Sequence, residues 1–150
     1  MDLNFNQIVG GTVMANSAVA AWSPRILSIL RFVAGLLYLE HGTSKLFGFP
    51  HNANFDNLQL FSLMGLAGTL EVVGGALLIL GLFTRPAAFI LSGEMAFAYW
   101  MAHAPKHPLP LMNGGDAAVL YCFIFLYLFV AGGGEWGIDA MRARAGGSAR

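Results

Sequence analysis

The chain contains one cysteine, Cys122, in 150 residues. That excludes an internal disulfide, a CxxC redox pair and a cysteine-rich zinc site. Charge is nearly as scarce, since 11% of the residues are Asp, Glu, Lys or Arg against roughly a quarter in soluble domains. Eight basic residues balance eight acidic ones, so no net field recruits phosphate backbones or acidic substrates. Disorder, nucleic-acid binding and ordinary soluble enzyme chemistry are set aside on these grounds. The first 22 residues carry Asp2 but no Lys or Arg, so they lack the basic start of a secretory signal peptide. They are expected to form a retained N-terminal tail, residues 1–22. A phosphate-binding loop, a dinucleotide fingerprint and a haem-attachment CxxCH are also missing.

Apolar residues are abundant: 57% of the chain is hydrophobic, and there are 19 glycines. The length suits one domain. Four apolar stretches, 25–47, 60–83, 85–103 and 116–132, each approach the roughly 20 residues that a helix needs to cross the hydrocarbon of a bilayer. The expected fold is all-α, a four-transmembrane-helix bundle. Glu71 tests the second span. Its central charge costs on the order of 3 kcal/mol, while each Leu, Ile, Val or Phe around it contributes roughly −0.3 to −0.6 kcal/mol, so insertion wins.

The connection Leu82-Phe83-Thr84-Arg85-Pro86 allows only a tight reversal, making spans two and three antiparallel neighbours. Residues 48–59, with Phe55, Leu58 and then Phe61 at helical spacing, predict a short interfacial helix. Pro105, Pro108 and Pro110 keep the third connection irregular, and Asp116 is the expected N-cap of the last span. Arg25, Arg31, Arg85, Arg142, Arg144 and Arg150 gather at one side, with Lys45 and Lys106 at the other. The positive-inside rule then places both termini in the cytoplasm. Trp22, Trp100 and Trp136 lie near span ends, at headgroup level. Residues 23–141 form the membrane domain, and the end of the chain after Asp139, with 142–150 as its C-terminal part, is expected to be a mobile tail. The shared nine-residue spacing of Arg31–Glu40 and Arg85–Glu94 reads as coincidence.

Ionisable residues inside a span are costly and must face a partner or a water-filled cavity. Arg31, Tyr38 and Lys45 form one stripe of the first helix, with Glu40 nearly opposite. Glu40 and Lys45 share a face only if Gly42 bends or ends the helix. Gly68, Glu71 and Gly75 share a side of the second span, where small residues admit a neighbouring backbone. Glu71 is then either a satisfied packing acid or the counter-charge of Arg31, Lys45 or a polar head group. Glu94 faces the same choice. Together Glu40, Glu71, Glu94, Arg31 and Lys45 suggest an internal polar cluster that either ties helices together or handles protons or a ligand. His103 and His107 are four residues apart, but Pro105 and Pro108 break the helical geometry that a shared metal would need, so no metal is assigned. Cys122, among aromatic residues, reads as an inert filler. The aromatic run Tyr121, Phe123, Phe125, Tyr127 and Phe129 could bound a flat quinone, although alternating positions spread around a helix.

Several segments, taken as a set, resemble the DoxX family. They are RFVAGLLYLEHGTSKLFG at 31–48, EVVGGALLILGLFTR at 71–85, the Asn113-Gly-Gly turn and GEWGID at 134–139. The resemblance covers about residues 24–141. It departs at Asp116, where the family usually has Glu, and in a longer third loop. It implies a multi-pass protein of the bacterial inner membrane, some relatives being subunits of a thiosulfate:quinone oxidoreductase and others linked to quinone, thiol or oxidative stress. The matching positions are Glu40, His41, Lys45, Glu71, Gly75 and Arg85.

The leading expectation is a subunit of a quinone-linked redox or detoxification system, with electrons from a protein partner. His41 and Lys45 would offer donors to a quinone oxygen, Glu40, Glu71 or Glu94 would exchange the proton, and Arg31, Tyr38 and Gly75 would line the cofactor site. Two alternatives stand beside it. A non-catalytic anchor or scaffold predicts one stoichiometric companion, or a homo-oligomer, and no ligand. A small oligomeric transporter predicts uptake into proteoliposomes, although no broken helix marks a central site.

Overall fold

A computed structural model describes residues 5–147, with side-chain surroundings for 19–146. Asp2 and Arg150, used in the terminal and orientation arguments, lie outside the described residues. The described residues are all-helical, with no strand. Helix α1 spans Phe5–Phe47, α2 Leu63–Leu80, α3 Thr84–Ala98, α4 Pro110–Asn113, α5 Asp116–Ala131 and α6 Ile138–Gly147. A 3-10 turn, Ala53–Phe55, lies between α1 and α2, and a π turn, Tyr99–His103, extends α3.

Helix α1 packs along α2, α3 packs along α5, and α2 touches α3. The first pair is built on glycine. A Cβ at Gly75 would lie 2.9 Å from both the Gly35 oxygen and the Leu39 nitrogen, and one at Gly42 would lie 2.7 Å from the Val72 nitrogen. Such close backbone approach is what small residues permit between helices. Gly42 is therefore a contact point, and α1 continues through it to Phe47. The second pair is held by larger side chains. Ala88, Leu91 and Met95 of α3 cluster with Ala118, Phe125 and Leu128 of α5. Tyr38 links the pairs, its ring 4.9 Å from Phe125 and 5.5 Å from Tyr121.

Four local expectations are corrected. Residues 48–59 hold only the three-residue 3-10 turn, because Asn52 accepts a hydrogen bond from the Asn54 N–H and closes it locally. Asp116 occupies the first turn of α5, while Gly115 stands at the N-cap with no side-chain bond. Its charge still complements the helix dipole. Of the segment expected as a mobile C-terminal tail, the residues up to Gly147 belong to α6, tied down because Asp139 accepts from the Phe83 and Thr84 N–H groups at 3.0 and 2.8 Å; residues 148–150 lie outside the described residues. Helix α1 also begins at Phe5, well before the expected span, and passes through Pro24.

Beside its apolar core the bundle buries polar groups and exposes large apolar side chains, unlike a water-soluble bundle. The interior includes Ser28, Arg31, Ser44, Glu71, Thr84, Ser92 and Asn113 alongside the apolar core, whereas Ile29, Phe32, Leu36, Leu66, Val73, Phe89, Ile90, Phe123 and Val130 are exposed. An apolar exterior around polar groups is matched to hydrocarbon rather than water. Two segments, Val19–Phe47 and Leu63–Leu80, are long and apolar enough to cross a membrane. Helix α5 is apolar but shorter, about 24 Å at 1.5 Å per residue.

Candidate functional site

Polar groups collect at two ends of the helix packing. At the first, Arg31 donates through Nε to the Gly133 oxygen at 2.9 Å and through Nη1 to the Ile79 oxygen at 2.9 Å. It also donates to the Leu78 and Trp136 oxygens. These are carbonyls at the end of α2 and in the segment before α6, groups that a helix terminus leaves without partners. Arg85 does the same for α5, donating to the Phe129 and Val130 oxygens at 2.9 and 2.7 Å. Arg25 pairs with Glu135 at 2.9 Å, and Arg144 donates to the Glu135 oxygen at 2.7 Å. Asp139 completes this end. Burial alone would raise its pKa, but the Thr84 and Phe83 N–H groups, with the nearby Arg142 charge, hold it below the ordinary aspartate value.

The other end gathers the carboxylates. Lys45 Nζ donates to Glu71 Oε1 at 2.5 Å, with both side chains largely buried. Glu71 thus answers to Lys45 among the partners expected for it. Glu71 is 2% exposed, and its second oxygen, Oε2, has no hydrogen-bond partner. Both oxygens of Glu94 and the Tyr38 hydroxyl are likewise buried without a well-formed hydrogen bond among the described residues, the hydroxyl lying beside the Glu94 carboxyl. Buried polar atoms without partners are rare in folded proteins and cost about 1–3 kcal/mol each.

Lys45, Glu71 and Glu94 line a groove of about 540 Å³ between α2 and α3. The rest of its wall is mainly apolar: Leu63, Leu66 and Leu70 from α2, with Ile90, Phe97 and Met101 from α3 and the π turn. A concave apolar surface with a few converging polar groups is the usual form of a small-molecule site. The arrangement can hold a lipophilic body against the helices and present an ammonium and carboxylates to a polar head.

Arg31 stands apart from this cluster, because four backbone carbonyls claim its guanidinium. Glu40 and His41 are exposed on α1, and neither lines the groove. His41 donates through Nδ1 to the Leu37 oxygen at 2.8 Å and sets its ring 6.2 Å from Tyr121. Tyr38 lies behind the carboxylates in the aromatic group with Tyr121 and Phe125. Gly75 is consumed by the contact of α2 with Gly35 and Leu39. His103 donates to the Asn113 oxygen at 3.1 Å, while the His107 ring accepts from the Leu109 N–H, so the two rings serve the third connection separately. Cys122 accepts through its backbone oxygen from Ser92 Oγ at 2.9 Å.

The apolar wall residues and Gly93 were missed in the sequence. Gly93 has open space where a side chain would stand. A signal existed: 63, 66, 67 and 70 on α2, 90, 93, 94 and 97 on α3 and 101 in the π turn recur at helical spacing. In an apolar chain that spacing does not separate a groove from a lipid-facing stripe.

The DoxX family model matches residues 26–104, which contain both walls of the groove and the Lys45–Glu71 pair. An uncharacterised protein of Haemophilus influenzae is 46% identical over 79% of this chain and 91% of its own length. An uncharacterised membrane protein of Mycobacterium tuberculosis is 27% identical over 84% of this chain and 91% of its own length. No solved structure matches the chain. With half of its length matched by the family model and a relative of this identity and coverage, the chain belongs to the DoxX family of membrane proteins.

Proposed function

We propose that the protein is a multi-pass protein of the bacterial inner membrane whose α2–α3 groove takes a quinone-class molecule for a redox or detoxification system. In this reading α1, α2, α3 with its π turn, and α5 cross the bilayer as a four-helix bundle, with both termini cytoplasmic. Orientation is supported by the gathering of Arg25, Arg31, Arg85 and Arg144 at one end through their contacts with residues 129–136. The exposed rings of Trp22, Trp100 and Trp136 suit the two interfaces.

The observation that carries the functional reading is Glu94, whose two unpartnered oxygens are buried beside an apolar groove that also contains the Lys45–Glu71 pair. Reduction of a quinone takes two electrons and two protons; the electrons would come from a partner protein. This chain's part is to bind the ring against Leu66, Leu70, Ile90 and Phe97, to offer the Lys45 ammonium as a donor to a carbonyl oxygen, and to exchange protons at Glu94. Glu40 and His41 fall outside this set because they line no part of the groove.

The test is titration of the purified protein in nanodiscs with a photoreactive ubiquinone or menaquinone analogue. Saturable labelling of α2 and α3 is expected. Glu94→Gln should weaken binding about tenfold, the loss of one hydrogen bond to a charged group. Absence of saturable binding, or binding indifferent to Glu94→Gln, would overturn the reading in favour of a scaffold without a ligand.

A further inference from the structure

A second cavity, of about 250 Å³, lies where the end of α1 meets the α1–α2 connection. Its wall includes Ser44, Lys45, Asn52, Phe55 and Asp56. At roughly 30 Å³ per water it has room for several molecules, and its hydroxyl, amide, ammonium and carboxylate groups supply the partners that ordered water needs. Asp56 also pairs with the exposed His51 at 3.0 Å, so this wall reaches the protein surface. Lys45 is the one residue shared by the walls of this cavity and of the groove. Its Nζ sits 5.9 Å above the Phe55 ring on the cavity side and bonds Glu71 Oε1 on the other.

We propose that this cavity is an aqueous port through which the Lys45–Glu71 pair exchanges protons with water, and that it supplies the groove from the side of the α1–α2 connection. The inference rests on the groove being a proton-handling site. A proton leaving the Lys45 ammonium passes along the 2.5 Å bond to Glu71 Oε1, and the neutral amine is reprotonated by a proton relayed from bulk solution through the cavity waters, which are left unchanged. The protonated Glu71 then shares the groove with Glu94, and each proton taken by a groove ligand is replaced from the port. Glu71 Oε2, buried and without a partner among the described residues, is an acceptor that Lys45 leaves open. The other titratable groups around the pair are Tyr38 and His41 on α1, Glu94 on α3, and His51 and Asp56 in the connection. On this arrangement Lys45 is a relay residue, not only the counter-charge of Glu71.

The chain has two lysines, Lys45 and Lys106, and one cysteine, which makes the test specific. Asn52→Cys is introduced together with Cys122→Ala, and the protein is labelled with ¹⁵Nζ-lysine. Exchange of the Lys45 ammonium protons with water is measured by NMR in nanodiscs before and after a bulky water-soluble maleimide is attached at position 52. Plugging the folded protein in this way avoids a variant that fails to fold. Exchange at Lys45 is expected to slow about tenfold or more, as when water access to a buried site is closed, while Lys106 is unchanged. Unchanged exchange at Lys45 after complete labelling would overturn the proposal. So would Lys45 exchange in the unplugged protein as slow as that of the α2 backbone amides. No quinone is present in this experiment, so failure of quinone binding and failure of the port are read separately.

Discussion

Arg31 and Glu94 are both held among the helices, and their surroundings differ in kind. Arg31 directs four hydrogen bonds onto carbonyl oxygens of Gly133, Leu78, Ile79 and Trp136. Glu94 keeps two buried oxygens without a well-formed hydrogen bond among the described residues, its nearest polar company being the Tyr38 hydroxyl and the Glu71 carboxyl, whose Oε2 is likewise open. A buried charge whose hydrogen bonds are nearly complete stabilises the arrangement that completes them. A buried polar group left open raises the free energy of the fold and is retained where it has another use. The arginine end is therefore read as structure, and the carboxylate end as the site. Substitutions at the two ends should separate stability from binding.

The largest effect is expected at Arg31. Arg31→Ala would leave the carbonyls at the end of α2 and before α6 without donors and should destabilise the protein by about 3–5 kcal/mol. Arg31→Lys should recover only part of this, since a single ammonium cannot reproduce the guanidinium fork. Unfolding of the purified protein in detergent, followed by steric trapping, measures both. Next comes the glycine seam. Gly75→Leu must push α2 away from the backbone at Gly35 and Leu39, because even a Cβ there would lie 2.9 Å from main-chain atoms. A loss of about 1–3 kcal/mol follows from overpacking. Glu94→Gln should move stability by less than about 1 kcal/mol, in either direction, because the amide can still accept from the neighbouring Tyr38 hydroxyl and no well-formed hydrogen bond is broken. If Glu94→Gln unfolded the protein as severely as Arg31→Ala, the division between the two ends would fail.

The four apolar stretches were legible because length and hydropathy report directly on helices that bury little and expose much. Lys45 and Glu71 were legible as candidates because a charge inside such a stretch needs company. The partner of Arg31 was not legible. Charge counting looks for acids, whereas this guanidinium is satisfied by backbone carbonyls that leave no mark in the sequence. The outward direction of Glu40 was partly visible, since it lies opposite Arg31 and Lys45 on a helical wheel. The continuation of α1 through Gly42 settled its separation from Lys45. The nine-residue spacing read as coincidence has a counterpart in space: Arg31 and Arg85, each on the first helix of a packed pair, both cap the closing carbonyls of the second. The helices nevertheless diverge in their contacts, glycine seams in α1–α2 and Leu, Met and Phe in α3–α5, which hid the correspondence in a residue-by-residue comparison.

The arginine end also carries the acid sensitivity expected outside the bilayer. The folded-state pKa of Asp139 is lowered from 3.8, so the carboxylate form is favoured by folding. Its contribution is complete above the unfolded value, declines as pH falls below about that value, and is lost once pH passes the still lower folded value. Protection of the α6 amides against hydrogen exchange, measured relative to the unfolded chain at the same pH, should therefore fall below pH 3.8. Asp139→Asn should lower the protection of α6 at neutral pH and flatten the dependence of that protection on acid. An unchanged acid profile in Asp139→Asn would remove this residue from the clamp between α6 and the start of α3.

The smallest effects are expected at Glu40 and His41, and they sharpen the comparison because both are charged or polar residues of the same helix as Lys45. Glu40 is exposed, and its backbone oxygen accepts from Thr43 Oγ1 at 3.1 Å, a bond that a side-chain change leaves intact. His41 spends one ring nitrogen on the Leu37 oxygen. Glu40→Gln and His41→Ala should each change stability by less than about 0.5 kcal/mol, as substitutions at exposed positions do. Quinone-analogue binding should also stay within about twofold of the unsubstituted protein, because neither side chain lines the groove. Lys45→Met, four positions beyond His41, should behave otherwise, since it leaves the Glu71 carboxylate buried without its counter-charge. A binding loss at His41→Ala equal to that at Lys45→Met would mean that the ligand lies against the outer face of α1 near Tyr121, and the α2–α3 groove would then be the wrong site.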